Sequence, residues 1–319
     1  MKILVFGAGG VGSVFGGFLA RTGHEVTLLG RAWHLDAIRK NGLTITGIWG
    51  DYRIKAFDLE TNAAELARSK ASFDLILLTV KSYDTRRAVE ELLPLMKEDT
   101  VLVSLQNGLG NIETILEKVS ADRFLAGRVI FGVETTPGTA RVTVIAEPVA
   151  VGALPGARPK LSAVRAAQTF STAKIPSVAV EDIEKRIWAK VVYNCALNGI
   201  CTLGEMPYGE ILKNDATRAW MRETVRECYA VAAKKGLDLE PPSAEAYLEL
   251  LEGRLIPSTA AHLPSMLQDL RRGKRTDIDA LNGAIVRLAE SAGIPVPANR
   301  RIYEEILRKS AQPGLNTLK

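Results

Sequence analysis

Histidine and cysteine are scarce in this chain. Of 319 residues three are histidine (His24, His34, His262) and three cysteine (Cys195, Cys201, Cys228). So few imidazoles exclude a His-rich metal centre, and no metal is expected. The cysteines form no CxxC pair and are odd in number, which excludes a disulfide framework and suits a reducing cytoplasm. Charge of neither sign dominates: 41 Lys and Arg against 36 Asp and Glu leave +5, with a pI near 9.0. That mild basicity suits an anionic small molecule and is weak support for nucleic acid. With 47% hydrophobic and 24% charged residues, wholesale disorder is excluded; 27 Gly and 14 Pro are too near background for a fibrous chain. The length exceeds what one domain usually holds, so two are expected.

A membrane span is missing too. The longest charge-free stretch, Ile3 to Ala20, is 18 residues behind a single Lys2, but six of the 18 are glycine. Each glycine costs a helix about 1 kcal/mol relative to alanine, so neither an export signal nor a lone membrane helix fits. A strand, a glycine turn and a packed helix explain the run better.

The opening reads that way in detail. Lys2–Phe6 is a short apolar run of the parallel-sheet kind, followed at once by Gly7, Ala8, Gly9, Gly10, Val11 and Gly12 in G-x-G-x-x-G spacing. Val14, Phe15, Phe18 and Leu19 then recur at helical spacing, Gly23 ends the helix, and Glu25–Leu29 reads as a second strand. In a Rossmann-type βαβ unit Gly7 permits the tight turn, Gly9 admits a pyrophosphate and Gly12 lets helix and strand pack closely. The phosphates would rest on unpaired N–H groups at the helix start. The alternative is a purely structural glycine turn. An NAD site would place Asp or Glu at the end of the second strand; here stand Gly30 and Arg31, the latter nineteen residues past Gly12. An arginine can pair with a 2′-phosphate through charge-assisted hydrogen bonds, so the expected cofactor is NADP(H), unless Arg31 is only a solvated charge.

The N-terminal half continues in βα alternation. Phe73–Val80 reads as a buried strand ending at Lys81, with a helix from Asp84 to about Met96; Thr100–Leu105 is the next strand, ending in Gln106, Asn107, Gly108, Leu109, Gly110. Strand carboxyl ends face the ligand crevice of a doubly wound sheet, which makes Lys81 and Asn107 candidate contacts. A solvated lysine and a turn asparagine are the plain alternatives. Leu125–Val133 and Arg141–Val151 read as antiparallel strands, Ser162–Ala173 as a helix and Ser177–Val180 as a short closing strand. The fold class is α/β: a doubly wound, Rossmann-like domain over 1–180 followed by an all-α domain over 181–319.

In the second half helical patterns fill Ile183–Leu203, Asp215–Lys235, Ala244–Glu252, Asp277–Ala292 and Asn299–Lys309. The first is mostly apolar, yet Arg186, Lys190, Asn194, Asn198 and Thr202 fall four apart and share one slowly drifting stripe. A lysine and two amides on an otherwise buried helix are costly unless solvated in a cleft or paired, so the stripe is expected to face an interdomain crevice beside a nicotinamide. An ordinary exposed face is the alternative. The basic cluster Arg271, Arg272, Lys274, Arg275 is broken by glycine and followed by Asp277 and Asp279, the pattern of a solvated turn and not of a nucleic-acid patch. Thr276 is a candidate N-cap for a helix from Asp277.

Together these features resemble the ketopantoate reductase (2-dehydropantoate 2-reductase) family. The resemblance runs through Gly7–Gly12, TVKSYDT (79–85), QNGLGN (106–111), WAKVVYNCALNGICTL (188–203), SMLQDLRRGKRTDIDALNG (265–283) and GIPVPANRRIYEEI (293–306). It implies a helical C-terminal domain like that of 6-phosphogluconate dehydrogenases and an NADPH-dependent reductase acting on the CH–OH group, serving pantothenate biosynthesis. The family's general acid falls on Lys190, and its substrate-binding residues on Asn107, Asn194, Asn198 and Ser265. Asp277, a catalytic candidate beside Lys190 unless its place at a helix start is its whole role, matches its substrate- and cofactor-binding carboxylate, and Arg31, Lys81 and Asn107 match cofactor contacts. The implied partner is a 2-oxo acid, with no nucleic acid and no membrane; a homodimer stays open.

Three positions depart from the family. Asp277 stands where glutamate is usual, about 1.5 Å shorter in reach; His262 stands where asparagine is common, and Gly199 where proline is frequent. Two alternatives follow: an NADPH-dependent reductase of another 2-oxo acid, or a non-catalytic NADP-binding sensor.

Overall fold

The computed structural model describes residues 1–311. The chain divides into two compact units: Met1–Asn107 with Asn111–Glu184, and Gly108–Gly110 with the residues from Lys185 onward. Residues 312–319 of the second expected domain lie outside the described residues.

The first unit is built on twelve strands, β1 (Lys2–Phe6), β2 (Glu25–Leu29), β3 (Leu43–Gly47), β4 (Tyr52–Ile54), β5 (Asp58–Glu60), β6 (Phe73–Leu78), β7 (Met96–Ser104), β8 (Phe124–Arg128), β9 (Phe131–Thr136), β10 (Thr139–Ile145), β11 (Val149–Gly152) and β12 (Ser177–Ala179). Its helices are α1 (Gly10–Arg21), α2 (Ala32–Asn41), α3 (Ala63–Arg68), α4 (Thr85–Leu92), α5 (Asn111–Leu116) and α6 (Ala163–Thr172). Eight strands form the main sheet in the order β12-β11-β8-β7-β6-β1-β2-β5. From β8 to β5 every pairing is parallel, with Ile3 opposite both Val26 and Leu75. Ile3, Leu4, Val5 and Leu75 to Leu78 are all fully buried, so both faces of the central strands are covered. That is why these strands read as unbroken apolar runs.

A second sheet, β4-β3-β10-β9, lies beyond α1. The helix is thereby clasped on two sides. A Cβ on Gly16 would stand 2.4 Å from Leu28 Cδ2 of the main sheet, and one on Gly17 2.6 Å from Ile45 Cδ1 of the second. The glycine density that defeats a membrane reading is thus the condition for packing one helix between two sheets.

Several sequence expectations are corrected here. Leu125–Val133 is two strands in different sheets: β8 pairs parallel with β7 but antiparallel with β11, and β9 pairs antiparallel with β10, so the antiparallel pairing expected of these two runs is present in both sheets. Arg141–Val151 likewise splits into β10 and β11. The helix expected from Asp84 to Met96 is α4 alone, flanked by 3₁₀ turns at Ser82–Asp84 and Leu93–Leu95. Pro94, which removes an N–H, sits in the second of these turns.

The second unit contains α7 (Ile183–Leu203, entering from the first unit at its first two residues), α8 (Asp215–Lys234), α9 (Ala244–Leu250), α10 (Ile256–Ser258), α11 (Ser265–Arg271), α12 (Asn282–Ala292) and α13 (Pro297–Ala311). Its core gathers Val191, Val192, Cys195 and Leu197 of α7 with Met221, Val225 and Cys228 of α8, Ile285 of α12, and Ile302 and Ile306 of α13. A buried polar seam crosses it. Glu227 accepts from the main-chain N–H groups of Ala298 and Asn299 at 2.7 and 2.8 Å, capping the Pro297 start of α13. Asn299 accepts from Asn282 Nδ2 at 2.9 Å, and Asn282 also donates to the Cys195 carbonyl of α7 at 3.3 Å. Desolvation pushes the Glu227 pKa up despite these donors. Gly199 allows α13 to come close: a Cβ there would lie 2.1 Å from Ile302 Cγ2.

Candidate active site

The glycine loop between β1 and α1 is fixed from two directions. Gly7 N and Ala8 N both donate to Leu29 O of β2, at 3.0 and 2.8 Å, and Thr79 Oγ1 donates to Gly7 O at 2.7 Å. The glycines differ in what surrounds them. Gly7 has φ +110°, and a Cβ on it would meet Val80 N at 2.7 Å. A Cβ on Gly12 would stand 2.4 Å from Gly7 O and 2.9 Å from Val5 Cγ1. Around Gly9 only Gly7 O comes within 4 Å, at 3.9 Å. The protein's own packing therefore requires no glycine at position 9; the open side is space for a ligand to meet the backbone. Gly9 is also the N-cap of α1 without a side-chain cap, so the helix start keeps its donors for an anion. Ala8, Gly10 and Val11 complete the turn, with Gly10 against Thr135 and Val133 of β9. These residues fit a dinucleotide pyrophosphate.

At the end of β2, Gly30 lets the chain pass close to the loop: its Cβ would lie 3.0 Å from that of Ala8. Arg31 follows as the exposed N-cap of α2. Lys81, half-buried, is the N-cap of the 3₁₀ turn after β6. Asn107 is exposed beyond β7. A small network that sequence reading did not single out sets these two loops. Gln106 Nε2 donates to Val80 O at 3.1 Å and to Thr85 Oγ1 at 2.8 Å, while Asn111 Nδ2 donates to Asn107 O at 2.9 Å. All three polar residues lie inside the TVKSYDT and QNGLGN motifs, which were the available signal.

In the second unit α7 carries the stripe. Arg186 is exposed, Lys190 and Asn194 are half-buried, Asn198 and Thr202 are buried, so the polar row sinks into the unit along its length. Lys190 and Asn198 stand about 12 Å apart along the axis. Asn198 Oδ1 accepts from Tyr208 Oη at 2.9 Å, which fixes how its amide is turned. Tyr208 in turn lies edge-on to Tyr193 at 5.8 Å and tilted against His262 at 5.2 Å. Burial raises the Tyr208 phenol well above its usual value and lowers the His262 pKa, so both are neutral packing groups at pH 7. Tyr208, missed from sequence, was hidden because its partner is a helix turn away across a loop.

Ser265 is the exposed first residue of α11. Asp277 is half-buried before a 3₁₀ turn, Ile278–Ala280. The helix expected from Asp277 begins only at Asn282, because Leu281 (φ −107°, ψ −108°) interrupts it. Thr276 does not cap the helix: its Oγ1 accepts from Ile278 N at 3.4 Å, ahead of the short turn whose N-cap is Asp277. Of the basic cluster, Arg275 is paired with Asp279 at 2.9 Å and Arg271 with Glu205 at 3.6 Å. Among the described residues no group of His, Cys, Asp and Glu could hold a metal ion, and no helix is long and apolar enough to cross a membrane. The cysteines are buried: desolvation raises the Cys195 thiol and pushes Cys201 up to about 12.

Comparison with known proteins agrees along the whole chain. Residues 3–156 match the profile of ketopantoate reductase PanE/ApbA, and 182–310 that of its C-terminal part. A 2-dehydropantoate 2-reductase of Aquifex aeolicus is 36% identical over 312 residues, 97% of each chain. The crystal structure of a PanE/ApbA family ketopantoate reductase from Ralstonia eutropha superposes with a TM-score of 0.86 at 32% identity, covering 97% of this chain and 98% of that one. D-mandelate dehydrogenase in a ternary structure with NADH and anilino(oxo)acetate has a TM-score of 0.85 at 26% identity, with 97% and 98% covered.

Proposed function

The chain belongs to the ketopantoate reductase family, and on that premise we propose that it reduces 2-dehydropantoate to pantoate with NADPH, Lys190 acting as general acid. The observation that carries this reading is the row Lys190, Asn194, Asn198 on a helix whose other residues from Trp188 to Ile200 are mostly core. A lysine and two amides are retained on such a helix at a cost unless they meet a polar partner.

The bound nicotinamide supplies a hydride to the C2 ketone. Every other part of the chemistry falls to the protein. The Lys190 ammonium stabilises negative charge growing on the former carbonyl oxygen and gives it a proton. Asn194 and Asn198 orient the lysine and substrate, Asn198 with its amide held by Tyr208. Asn107 contributes a further amide to substrate and cofactor, Ser265 anchors the substrate's carboxylate or hydroxyl end, and Asp277 binds both. In the first unit the glycine loop takes the pyrophosphate, Lys81 a further cofactor contact, and Arg31 the 2′-phosphate; no carboxylate stands at the end of β2 to hold the ribose of NAD. A cytoplasmic location and a homodimer complete the proposal.

Lys190→Ala should lower kcat by roughly 10²–10⁴ while NADPH binding is kept. Unchanged turnover would remove Lys190 from the chemistry. A second reading, reduction of a different 2-oxo acid, is favoured by Asp277 and by the likeness to D-mandelate dehydrogenase with its NADH and anilino(oxo)acetate. A spectrophotometric screen of 2-oxo acids with NADPH and NADH separates the two. Cofactor binding with no oxidation by any substrate would favour a sensor.

A further inference from the structure

We propose that His34 is a positioning residue that holds Arg31 at a fixed place relative to the pyrophosphate loop, and thereby sets the preference for a 2′-phosphorylated dinucleotide. The proposal rests on Arg31 reading the 2′-phosphate, as argued above.

His34 is fully buried in the first turn of α2. Its Nδ1 accepts from the main-chain N–H of Gly138 at 3.2 Å. An amide N–H can only donate, so that ring nitrogen carries no proton and the other, Nε2, donates to Ser13 Oγ at 2.9 Å. Burial lowers the ring's pKa, against the Thr136 carbonyl that favours the charged form, and the neutral tautomer is retained. Ser13 is itself fully buried, and its N–H donates to Gly9 O at 2.8 Å, closing the first turn of α1. On the other side, His34 N donates to Arg31 O at 3.1 Å.

A continuous line of hydrogen bonds therefore joins Arg31, His34, Ser13 and Gly9, the two ends being the proposed sites of the two phosphate groups. Gly138, in the β9–β10 turn, supplies a third fixed point: its Cβ would lie 3.1 Å from that of Ala37 on α2. Bidentate pairing of a guanidinium with phosphate depends on geometry, so a clamp on Arg31 acts on the 2′-phosphate more than on the rest of the cofactor. A histidine that merely filled the core would affect both cofactors alike.

Titration calorimetry with NADPH and with NADH tests this in the full chain, using the wild type and the variants His34→Leu, His34→Gln, Ser13→Ala and Arg31→Ala. Loss of the His34–Ser13 bond should lower the NADPH-over-NADH affinity ratio about tenfold in His34→Leu, which also gives up the bond from Gly138, and in the same direction in Ser13→Ala. The double variant His34→Leu/Ser13→Ala should be little worse than His34→Leu, since both substitutions break the same His34–Ser13 link, and His34→Gln should recover part of the ratio. Should His34→Leu not fold, Ser13→Ala and His34→Gln carry the test. Equal weakening of both cofactors, with Arg31→Ala alone abolishing the ratio, would overturn the role of His34 and leave Arg31 standing. A ratio untouched in Arg31→Ala would overturn the 2′-phosphate reading itself, and with it this inference.

Discussion

Alanine placed at Gly9 and at Gly12, one at a time, should have opposite effects on folding and on cofactor binding. At Gly12 the added Cβ meets a backbone carbonyl at 2.4 Å, Thr79 Oγ1 at 2.7 Å and Val5 Cγ1 at 2.9 Å. Overpacking of that kind costs about 1–3 kcal/mol, and replacing a helical glycine returns at most about 1 kcal/mol. A net loss of roughly 1–2 kcal/mol lowers the Tm of a unit this size by about 2–8 °C. Gly9 has φ −86° and ψ −154°, extended backbone open to any residue, and its Cβ would be 3.9 Å from the nearest protein atom. Gly9→Ala should therefore melt at or slightly above the wild-type temperature, by up to about 1 kcal/mol of unfolded-state entropy. The methyl group would instead stand where the pyrophosphate approaches. One overpacked methyl of about 1–3 kcal/mol weakens NADPH binding by about 5- to 150-fold. Thermal melts of the cofactor-free protein and titration calorimetry measure the two effects separately. Tight NADPH binding by Gly9→Ala, or a melting temperature lowered as far as that of Gly12→Ala, would refute the assignment of the open side to the ligand.

Other outcomes follow from the same geometry. Tyr208→Phe strips the donor from buried Asn198 Oδ1 at a cost of about 1–3 kcal/mol, and should reduce kcat/KM by about 5- to 150-fold with NADPH affinity unchanged; steady-state kinetics decide it. Asp277→Glu should be tolerated or raise turnover if 2-dehydropantoate is the substrate, whereas a large loss would point to a smaller pocket built around aspartate. All three histidines have pKa values lowered by burial, so the unfolded chain binds protons first as pH falls. Their contribution to stability is complete above about 6.5 and is lost as pH drops from there through the lower folded values; Tm against pH should show this fall, less steeply in His34→Gln. Buried thiols, Cys201 at about 12 among them, should resist a disulfide reagent in the native protein and react once denaturant is added.

The parts that were legible in the sequence are those whose cause is local. β1, α1 and β2 follow one another within thirty residues, and a glycine turn between two apolar patterns announces them. The bounds of α7, Ile183–Leu203, fall where its apolar periodicity runs. The run Leu125–Val133 reads as one strand because it is apolar through Val129 and Ile130, while the chain leaves one sheet and enters another there. β4 and β5 have three residues each and α3 six, too few to show a period alone. At the site the same division holds. Lys190, Asn194 and Asn198 are visible at a spacing of four; Gln106, Asn111 and Tyr208 are ordinary polar residues until their partners are known.

Sequence alone determined that a strand, a glycine-rich turn and a helix open the chain, that arginine and not a carboxylate follows β2, and that an all-helical half carries a lysine–amide row. Each depends on neighbours within a few turns or strand lengths, where backbone geometry fixes the period. Only the tertiary structure decided which glycine is demanded by packing and which is left open, and that α1 lies between two sheets. It also joined His34 to Ser13 and Gly138, 21 and 104 residues away in the chain. Hydrogen bonds and close contacts of that kind leave no periodic trace, because they depend on where the whole chain brings distant segments together.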